Sequence, residues 1–458
     1  MIPTPAFKDK TIAVLGLGRS GMATARALGA SGAKVQAWDD ALATRDMARA
    51  EGVTLADPLA GGWQGAEALV LSPGIPATYP KPHPAVAAAR AAGLPIFGDV
   101  EVFARSREAL GPHAVAAITG TNGKSTTTAL LGHLLGMAGK PVAIGGNIGT
   151  PVLALDPLAP GGVYVLELSS YQIEQTISLA AEVAILLNIT PDHLDRHGSF
   201  KDYAAVKAHL FAMQRPEQVA IIALDDEPCR RLADQLGRRV VPVSAARAVA
   251  GGVAVVDGAL IDDLTGAARV LSHQTDWPGL AGQHNAQNVA AAAAAARLLG
   301  VDGAAIDAGL KTYQALAHRT EPVAEARGIR FINDSKATNP EAAAKAVAAF
   351  ARVRWIAGGV AKGEGIGALD AVLGHVEKAY LIGAAEAQFA AALAGRVPLA
   401  RCGTLEAAVR AAIADCGAQG GVILLSPACA SFDQFRDYAD RGARFTTLAK
   451  AWAEKGAL

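Results

Sequence analysis

The stretch AVAAITGTNGKST, residues 114–126, decides the fold of the middle of the chain. Its first half is a continuous apolar run, which is typical of a strand buried on both faces of a parallel sheet. Its second half is a glycine-rich loop of the kind that cradles phosphate groups, with Lys124 for the β- and γ-phosphates and Ser125 for Mg²⁺. The standard pattern has glycine where this chain has Ile118. The order strand, loop and helix nevertheless predicts nucleotide binding.

Two further apolar runs, residues 163–168 and 184–189, predict neighbouring strands, and an alanine-rich helix is expected at residues 286–299. Glu167 lies near the end of the first run, and Asp192 and His193 follow the second. Ligands of open α/β sheets gather beyond the carboxyl ends of the strands. Oxygen ligands suit Mg²⁺, although imidazole is a less usual one. These groups beside a phosphate loop predict a magnesium site.

A second glycine loop, GLGRSG at residues 16–21, lies between a predicted strand (residues 11–15) and a predicted helix (residues 20–30). Asp39 follows the next predicted strand, residues 34–38. This pattern is the dinucleotide fingerprint, in which glycines let the backbone approach a diphosphate at a helix N-terminus. Any diphosphate would fit, so the motif leaves both NAD and a nucleotide sugar open.

Strands alternating with helices predict parallel sheets with crossover helices along the whole chain. In the first block, residues 68–71 and 96–98 are also expected to be strands. A third block begins near Ala317, and its expected strands are residues 330–332, 353–356, 379–382 and 422–425. The sequence therefore predicts an α/β fold with three domains in series.

The charge balance narrows the possible partners. The 458 residues include 42 basic and 42 acidic side chains, so the formal net charge is zero, which argues against non-specific binding to nucleic acid or an anionic membrane.

The four widely spaced cysteines are expected to be isolated thiols. No signal peptide or long apolar span is evident, so we expect a cytoplasmic protein without a nucleic-acid or membrane partner.

Several motifs together resemble those of the Mur ligase family, in the same order along the chain. They are GTNGKST at 120–126, GNIG at 146–149, ELSSYQIE at 167–174, DHLDRH at 192–197, GQHNAQN at 282–288, HRTE at 318–321 and NDSKATNP at 333–340. A last motif, LSPACASFDQF at 425–435, resembles the branch of the family that adds D-glutamate.

This resemblance implies a Rossmann-like N-terminal domain that binds UDP (residues 1–106), a central P-loop ATPase domain (107–315) and a Rossmann-like C-terminal domain that binds the amino acid (316–458). The implied reaction adds D-glutamate to UDP-N-acetylmuramoyl-L-alanine through an acyl phosphate, with ATP and two Mg²⁺ ions, in peptidoglycan precursor synthesis. We also expect a monomer.

The resemblance also assigns roles to residues. The catalytic group is Lys124, His193, Lys207, Arg319 and Lys336. ATP is expected to bind to Gly120, Thr121, Asn122, Gly123, Lys124, Ser125, Thr126, Asn285, Asn288, Arg319 and Asp334. The implied metal ligands are Ser125, Glu167, His193 and Lys207, the last as a carbamate, which requires a lysine of lowered pKa.

Two substrate sites follow from the same resemblance. The UDP substrate is expected at Arg19, Ser20, Asp39, Ser72, Gly74, Asn147, Gln172 and His193. D-glutamate is expected at Thr338, Lys362, Ser431 and Phe432. Under this interpretation, the GLGRSG loop binds UDP and not NAD.

Two local patterns predict helix starts independently of the family. Asn339, Pro340 and Glu341 have the properties of an N-cap, a first helical residue and an acidic first turn. The residues from Ser431 to Gln434 match a capping box.

Three alternatives remain open from the sequence. One is a sibling ligase for L-alanine, a diamino acid or folate-linked glutamate. Another is an NAD-dependent oxidoreductase fused to an NTPase, which the GLGRSG loop and Asp39 would suit. The third is a non-catalytic sensor of nucleotide sugars, which is hard to reconcile with intact Lys124, Glu167 and His193.

Overall fold

The computed structural model describes residues 1–280, 285–361 and 365–456. Two compact units divide the chain, Met1–Gln314 and Ala315–Leu458. The first unit contains two sheets and the second contains one. The predicted α/β class is confirmed, because helices alternate with largely parallel strands in all three sheets.

The first sheet has four parallel strands in the order β2-β1-β3-β4. Its strands are β1 (Thr11–Leu15), β2 (Lys34–Trp38), β3 (Ala68–Leu71) and β4 (Ile96–Phe97). Its helices are α1 (Arg19–Ala30), α2 (Leu42–Ala50), α3 (Pro84–Ala91) and α4 (Asp99–Ser106). Every residue of β3 is buried, as expected of a central strand covered on both faces.

The second sheet has nine strands in the order β13-β12-β11-β10-β9-β8-β5-β7-β6. They are β5 (His113–Thr119), β6 (Val142–Gly146), β7 (Gly162–Glu167), β8 (Val183–Leu186), β9 (Val219–Ala223), β10 (Val240–Ser244), β11 (Val253–Val256), β12 (Ala259–Asp262) and β13 (Arg269–His273). The strands from β5 to β11 are parallel, whereas β12 pairs antiparallel with both of its neighbours.

Seven α-helices of the described residues accompany this sheet. They are α5 (Lys124–Met137), α6 (Ser170–Glu174), α7 (Leu194–His197), α8 (Phe200–Ala212), α9 (Glu227–Gln235), α10 (Ala286–Leu298) and α11 (Gly303–Thr312). The alanine-rich α10 packs against α5, and its seven consecutive alanines, residues 290–296, are fully buried. Small side chains let the two helices approach closely beside the phosphate loop.

The two sheets of the first unit share a hydrophobic core. Phe97 and Phe103 of the first sheet's side belong to the same buried cluster as Leu153 and Tyr164. The rings of Phe103 and Tyr164 meet edge to face with centroids 5.2 Å apart. Helix α4 therefore joins the two sheets, and it carries the chain from one to the other.

The second unit contains a six-stranded sheet in the order β14-β15-β19-β16-β17-β18. Its strands are β14 (Glu321–Ala326), β15 (Ile329–Asn333), β16 (Val353–Gly358), β17 (Val376–Ile382), β18 (Leu399–Gly403) and β19 (Gly421–Leu425). Its helices are α12 (Pro340–Ala348), α13 (Glu386–Leu393), α14 (Leu405–Cys416) and α15 (Tyr438–Lys455). Among the strands of the described residues, β14 and β15 pair antiparallel and the other pairs are parallel.

Short 3₁₀ helices complete the secondary structure of the described residues. They are Pro5–Phe7, Pro58–Ala60, Arg107–Ala109, Val152–Ala154, Gln274–Asp276, Pro278–Leu280, Gly367–His375 and Gly417–Gln419.

One of the two predicted helix starts is confirmed and the other is wrong. Asn339 caps α12, and its side chain accepts a hydrogen bond from the Ala342 N–H at 2.8 Å. Ser431 does not begin a helix, because its carbonyl closes a turn by accepting from the Gln434 N–H. The helix begins only at Tyr438, where Asp437 is the N-cap.

Two further expectations concern single features. All four cysteines are free thiols, which confirms the prediction of isolated cysteines. Within the described parts of the chain, no helix is both long enough and apolar enough to span a bilayer.

Candidate active site

The phosphate loop connects β5 to α5 and packs beneath α10. Gly120 and Gly123 have φ of +151° and +87°, a region that side chains other than glycine rarely adopt. A Cβ at Gly123 would overlap the amide oxygen of Asn288 in α10. The positive φ of this residue and the close packing of α10 therefore both require glycine at position 123.

The first half of the loop is bonded to the segment that follows β8. The Thr121 N–H donates to the Asn188 carbonyl at 2.8 Å, and the Thr121 hydroxyl donates to the Thr190 carbonyl at 3.1 Å. The Asn122 N–H donates to Asn188 Oδ1 at 2.8 Å. The second half of the loop begins α5, whose first-turn N–H groups lack intrahelical partners and so form an anion site.

Two lysine amines converge on one carbonyl oxygen of the loop. Lys124 Nζ donates to the carbonyls of Gly120 and Thr121, both at 2.7 Å. Lys207 Nζ, from α8, donates to the same Gly120 carbonyl at 2.9 Å. Lys207 is only 1 % exposed, so burial, together with the positive charge of Lys124, holds the pKa of the Lys207 amine well below its usual range.

The predicted metal ligands lie on both sides of this loop. Glu167 is the last residue of β7, is buried, and accepts from Asn147 Nδ2 at 2.6 Å. Ser125 is buried in the first turn of α5. The described residues contain no group of three or more His, Cys, Asp or Glu side chains placed to hold a metal ion. Ser125 and Glu167 offer hydroxyl and carboxylate oxygens, which suit a hard cation such as Mg²⁺.

His193 is held in an unusual backbone conformation at the start of α7. Its φ is +53°, in the left-handed region, and its N–H donates to Asp192 Oδ1 at 2.9 Å. Its Nδ1 lies 2.8 Å from the Tyr171 hydroxyl, and its Nε2 lies 3.6 Å from Asp192 Oδ2. Burial, with a smaller contribution from the charge of Asp195, raises the pKa of Tyr171 to about 12, so this partner is a neutral phenol. Both ring nitrogens therefore have polar neighbours.

The glycine loop of the first sheet is fastened by two of the residues predicted to bind UDP. The Ser72 hydroxyl donates to the Gly16 carbonyl at 2.8 Å. Asp39 accepts from the Leu17 N–H at 2.7 Å and from the Ala41 N–H at 2.9 Å. Both carboxylate oxygens of Asp39 are thus engaged by the main chain, so Asp39 holds the loop in shape.

The other predicted UDP residues lie where the two sheets of the first unit meet. The Arg19 guanidinium donates to the Gly149 carbonyl in the loop after β6. Ser20 and the buried Gln172 both lie beside the carboxyl group of Asp99. Burial raises the pKa of Asp99 to about 6, and hydrogen bonding from these polar neighbours opposes that shift.

Further contacts of Gln172 and Asn147, and the position of Gly74, complete the description of the residues predicted to bind UDP. Gln172 Oε1 accepts from the Ser169 N–H at 3.1 Å and completes a capping box for α6. Asn147 is exposed, and its N–H also donates to the Glu167 carbonyl. Gly74 is exposed in the turn after β3.

The asparagines predicted to bind ATP lie at the N-terminus of α10. Asn288 Nδ2 donates to Asn285 Oδ1 at 3.2 Å, and Asn288 Oδ1 accepts from the Thr127 hydroxyl at 3.3 Å. Residues 282–284 of the same motif lie outside the described residues. Thr126 is half-buried in the first turn of α5.

In the second unit, the predicted residues gather beyond the carboxyl end of β15. Asp334 accepts from the Thr320 N–H at 3.1 Å and from the Ser426 hydroxyl at 2.6 Å. Burial raises the pKa of Asp334 to about 7, although hydrogen bonds and the charge of Arg319 oppose the shift. Lys336 Nζ lies 3.8 Å from the centroid of the Tyr438 ring.

The residues predicted to bind D-glutamate differ in exposure. Ser431 is buried, Thr338 is half-buried, and Phe432 is 73 % exposed. Lys362 lies outside the described residues.

Sequence reasoning missed two residues that hold these loops. Arg441 of α15 is buried, and its guanidinium donates to the carbonyls of Ser335 at 2.8 Å and Cys429 at 3.1 Å. Asn188 supports the phosphate loop, as described above. A buried arginine inside a helix and a single asparagine after a strand have no spacing that would have revealed these contacts.

Comparison with known proteins agrees with these motifs. Two family models match the chain, the Mur ligase middle domain at residues 118–296 and "Mur ligase, glutamate ligase domain" at residues 318–429. A protein of Phenylobacterium zucineum is 48 % identical over 99 % of both chains, and one of Sphingopyxis alaskensis is 50 % identical over 98 % of this chain and 99 % of its own. Both carry the name UDP-N-acetylmuramoylalanine–D-glutamate ligase. The chain belongs to the Mur ligase family.

Solved structures of two other ligases share the fold. The chain is similar to UDP-N-acetylmuramate-alanine ligase MurC from Thermotoga maritima, with a TM-score of 0.59, 17 % identity, and 96 % and 99 % of the two chains covered. It is also similar to a pseudomurein peptide ligase type C from Methanothermus fervidus, with a TM-score of 0.58, 18 % identity and the same coverage. These likenesses establish the architecture alone.

Family membership decides between the classes of function left open by the sequence. This Mur ligase is an ATP-dependent enzyme that forms amide bonds, and the family typically requires Mg²⁺. The prediction of a ligase is confirmed, and the oxidoreductase and sensor interpretations are wrong for this chain.

Proposed function

We propose that this Mur ligase joins D-glutamate to the terminal carboxylate of UDP-N-acetylmuramoyl-L-alanine, with conversion of ATP to ADP and phosphate. The observation that carries the proposal is the near-complete alignment, at 48–50 % identity, with relatives that are named for this reaction. The phosphate loop with its two converging lysines supplies the chemistry that such a reaction needs.

The reaction has two steps. A carboxylate oxygen of the nucleotide substrate attacks the γ-phosphorus of ATP, and the bond to the ADP oxygen breaks. The amine of D-glutamate then attacks the acyl carbon, the C–O bond to phosphate breaks, and the nitrogen loses a proton to solvent. A free carboxylate is unreactive towards amines, so the phosphoryl group is needed to make a leaving group.

The chain's own residues would offset the negative charge that collects at the transferred phosphoryl group. Lys124 and the first-turn N–H groups of α5 face the phosphates in this proposal. In the second unit, we propose roles in ATP binding for Arg319 and Asp334 and a role in catalysis for Lys336. The remaining ATP contacts would come from Gly120, Thr121, Asn122, Gly123, Ser125, Thr126, Asn285 and Asn288.

We assign two Mg²⁺ ions to Ser125, Glu167, His193 and Lys207. When bound, these ions would neutralise phosphate charge. The buried amine of Lys207 is suited to carbamylation, because its lowered pKa favours the neutral form that attacks CO₂, with loss of one proton. The carbamate would place an anionic oxygen ligand beside the loop, where an ammonium group would repel Mg²⁺.

The substrate sites follow the family assignment. UDP-N-acetylmuramoyl-L-alanine would bind to Arg19, Ser20, Asp39, Ser72, Gly74, Asn147, Gln172 and His193. D-glutamate would bind to Thr338, Lys362, Ser431 and Phe432. We propose domains at residues 1–106, 107–315 and 316–458, and a monomer that acts in the cytoplasm on peptidoglycan precursors.

Phosphate release in the presence of ATP, Mg²⁺ and UDP-N-acetylmuramoyl-L-alanine tests the proposed reaction. D-glutamate should stimulate release, whereas L-glutamate, L-alanine and meso-diaminopimelate should not. Stimulation by one of the other amino acids would keep the ligase chemistry but reject D-glutamate as the substrate.

A further inference from the structure

The phosphate loop is attached to the rest of the first unit by a bidentate amide contact. Asn188, two residues beyond the end of β8, is 9 % exposed. Its Oδ1 accepts from the Asn122 N–H at 2.8 Å, and its Nδ2 donates to the Asn122 carbonyl at 3.1 Å. One side chain therefore binds both main-chain groups of a loop residue, in the manner of a neighbouring strand.

The contact continues outward through a chain of side-chain hydrogen bonds. Asn188 Nδ2 also donates to Gln287 Oε1 at 2.9 Å, and Gln287 Nε2 donates to Asp225 Oδ2 at 2.7 Å. The Ser244 hydroxyl donates to the other carboxylate oxygen of Asp225 at 2.6 Å. We call Asn188, Gln287 and Asp225 the amide relay.

Asp225 sets the direction of the whole relay. An ionised carboxylate only accepts hydrogen bonds, so Gln287 must present its NH₂ group to Asp225. The carbonyl oxygen of Gln287 then faces Asn188, which must present its own NH₂ group. Consequently Asn188 Oδ1 is left pointing at the Asn122 N–H, as the distances require. The relay and the main-chain groups of Asn122 thus require the same orientation of the Asn188 amide.

This arrangement divides the N–H groups of the loop into two sets. Those of Thr121 and Asn122 are committed to Asn188, through its main-chain carbonyl and its side chain. Those from Gly123 onward belong to the last loop residue and the first turn of α5. These hydrogen bonds keep the loop in one conformation before a ligand binds. Less conformational entropy is therefore lost on binding.

We infer that Asn188 is a positioning residue for ATP, which acts through the amide relay to hold the loop so that the N–H groups from Gly123 onward stay oriented towards the phosphates. This inference rests on the proposed ATP site. It assigns no contact between Asn188 and the nucleotide itself, so its effect should depend on the β-phosphate that the loop surrounds.

Calorimetric titration of the full-length protein with ADP and with AMP tests the inference. In wild type, the dissociation constant for AMP divided by that for ADP reports the contribution of the β-phosphate to binding. Asn188→Ala should weaken ADP binding at least about tenfold and change AMP binding less than about twofold, because it removes both side-chain hydrogen bonds to Asn122 and such a loss commonly has an effect of this size. A purely structural role would lower thermal stability but leave the ratio unchanged.

Gln214 provides a matched control. It is also a buried amide in the first unit, and its Nε2 donates to the carbonyls of Ala181 at 2.9 Å and Val219 at 3.0 Å. Gln214→Ala should therefore lose comparable hydrogen bonds and retain the wild-type ratio. An equal fall in the ratio in both variants would overturn the inference.

A milder variant covers the case in which Asn188→Ala does not fold. Gln287→Leu removes the middle amide but keeps the direct contact between Asn188 and Asn122, so the ratio should fall about threefold. If Gln287→Leu folds and keeps the wild-type ratio, the relay is contradicted. If wild type itself binds ADP no more tightly than AMP, the proposed ATP site fails, which is a separate outcome.

Discussion

Replacement of Lys207 tests the most unusual feature of the active site, the buried amine beside the phosphate loop. Lys207→Ala removes about three buried methylene groups, which at ~0.8 kcal/mol each lowers the free energy of unfolding by roughly 2 kcal/mol. The Gly120 carbonyl keeps its hydrogen bond from Lys124, so no buried acceptor is left without a donor. This loss is small compared with the ~5–15 kcal/mol stability of ordinary domains, so the variant should fold.

Activity should fall far more than stability. If the Lys207 carbamate supplies an oxygen ligand at the phosphoryl centre, its loss should reduce kcat about 10²–10³-fold, the effect of removing one preorganised stabilising group. Phosphate release under saturating ATP, nucleotide substrate and D-glutamate measures kcat, and urea denaturation measures stability.

Lys207→Met is the matched control, because it keeps most of the aliphatic volume but cannot form a carbamate. It should be as inactive as Lys207→Ala and at least as stable as wild type, since it removes a buried amine near Lys124. Acetate or propionate should partly restore turnover in Lys207→Ala, whose cavity can hold them, but not in Lys207→Met. A wild-type kcat in Lys207→Met would refute the carbamate reasoning. Equal rescue of both variants would show that the added carboxylate does not act from the cavity left by Lys207→Ala.

Two other predictions concern the phosphate loop and the second unit. Lys124→Ala should abolish detectable turnover and leave the circular dichroism spectrum unchanged, because we propose that Lys124 binds the phosphates from the loop; wild-type phosphate release would contradict that role. Asp334 has a folded-state pKa of about 7 against an ordinary value of 3.8, so the folded state holds its proton more tightly than the unfolded chain. The protonated Asp334 side chain therefore stabilises the folded state fully below about pH 4. The free energy of unfolding decreases as the pH rises to about 7, by on the order of 4 kcal/mol at most. Urea denaturation from pH 4 to 8 should show this decline in wild type but not in Asp334→Asn, whereas parallel profiles would be inconsistent with the raised pKa.

The sequence predicted the strands that lie at the centre of the sheets most accurately. The central strands β1 and β3 begin and end where their apolar runs do. Such strands are buried on both faces, so the hydrophobic pattern and the pairing coincide. The predicted strand at residues 184–189 instead ends at Leu186, because Asn188 turns away from strand pairing to bind the loop. An apolar run does not report where hydrogen bonding changes partner.

The edge of the second sheet was not predicted. The antiparallel strands β12 and β13 have short, irregular patterns, and their register shifts between Leu260 and Ile261. A bulge interrupts the alternation on which strand prediction depends. The capping box at Ser431 failed for a related reason, since the same local hydrogen bonds also close an isolated turn.

Part of the candidate site followed from motifs, and part required the fold. Loop glycines and the residues at strand ends have fixed spacing, so the sequence predicted the positions of Gly120 and Lys124 in the loop after β5 and of Glu167 at the end of β7. The burial of Lys207 depends on contact between α8 and a loop that lies more than 80 residues earlier. Nothing in the spacing of a helical lysine indicates such a contact.

The most direct test of the central claim is phosphate release with ATP, Mg²⁺ and UDP-N-acetylmuramoyl-L-alanine, measured separately with D-glutamate and with L-glutamate. The two amino acids have the same charge and composition, so only a site built for the D enantiomer distinguishes them. The account predicts release of one phosphate per amide bond formed with D-glutamate and none above background with L-glutamate. Equal release with both, or release with neither, would contradict it.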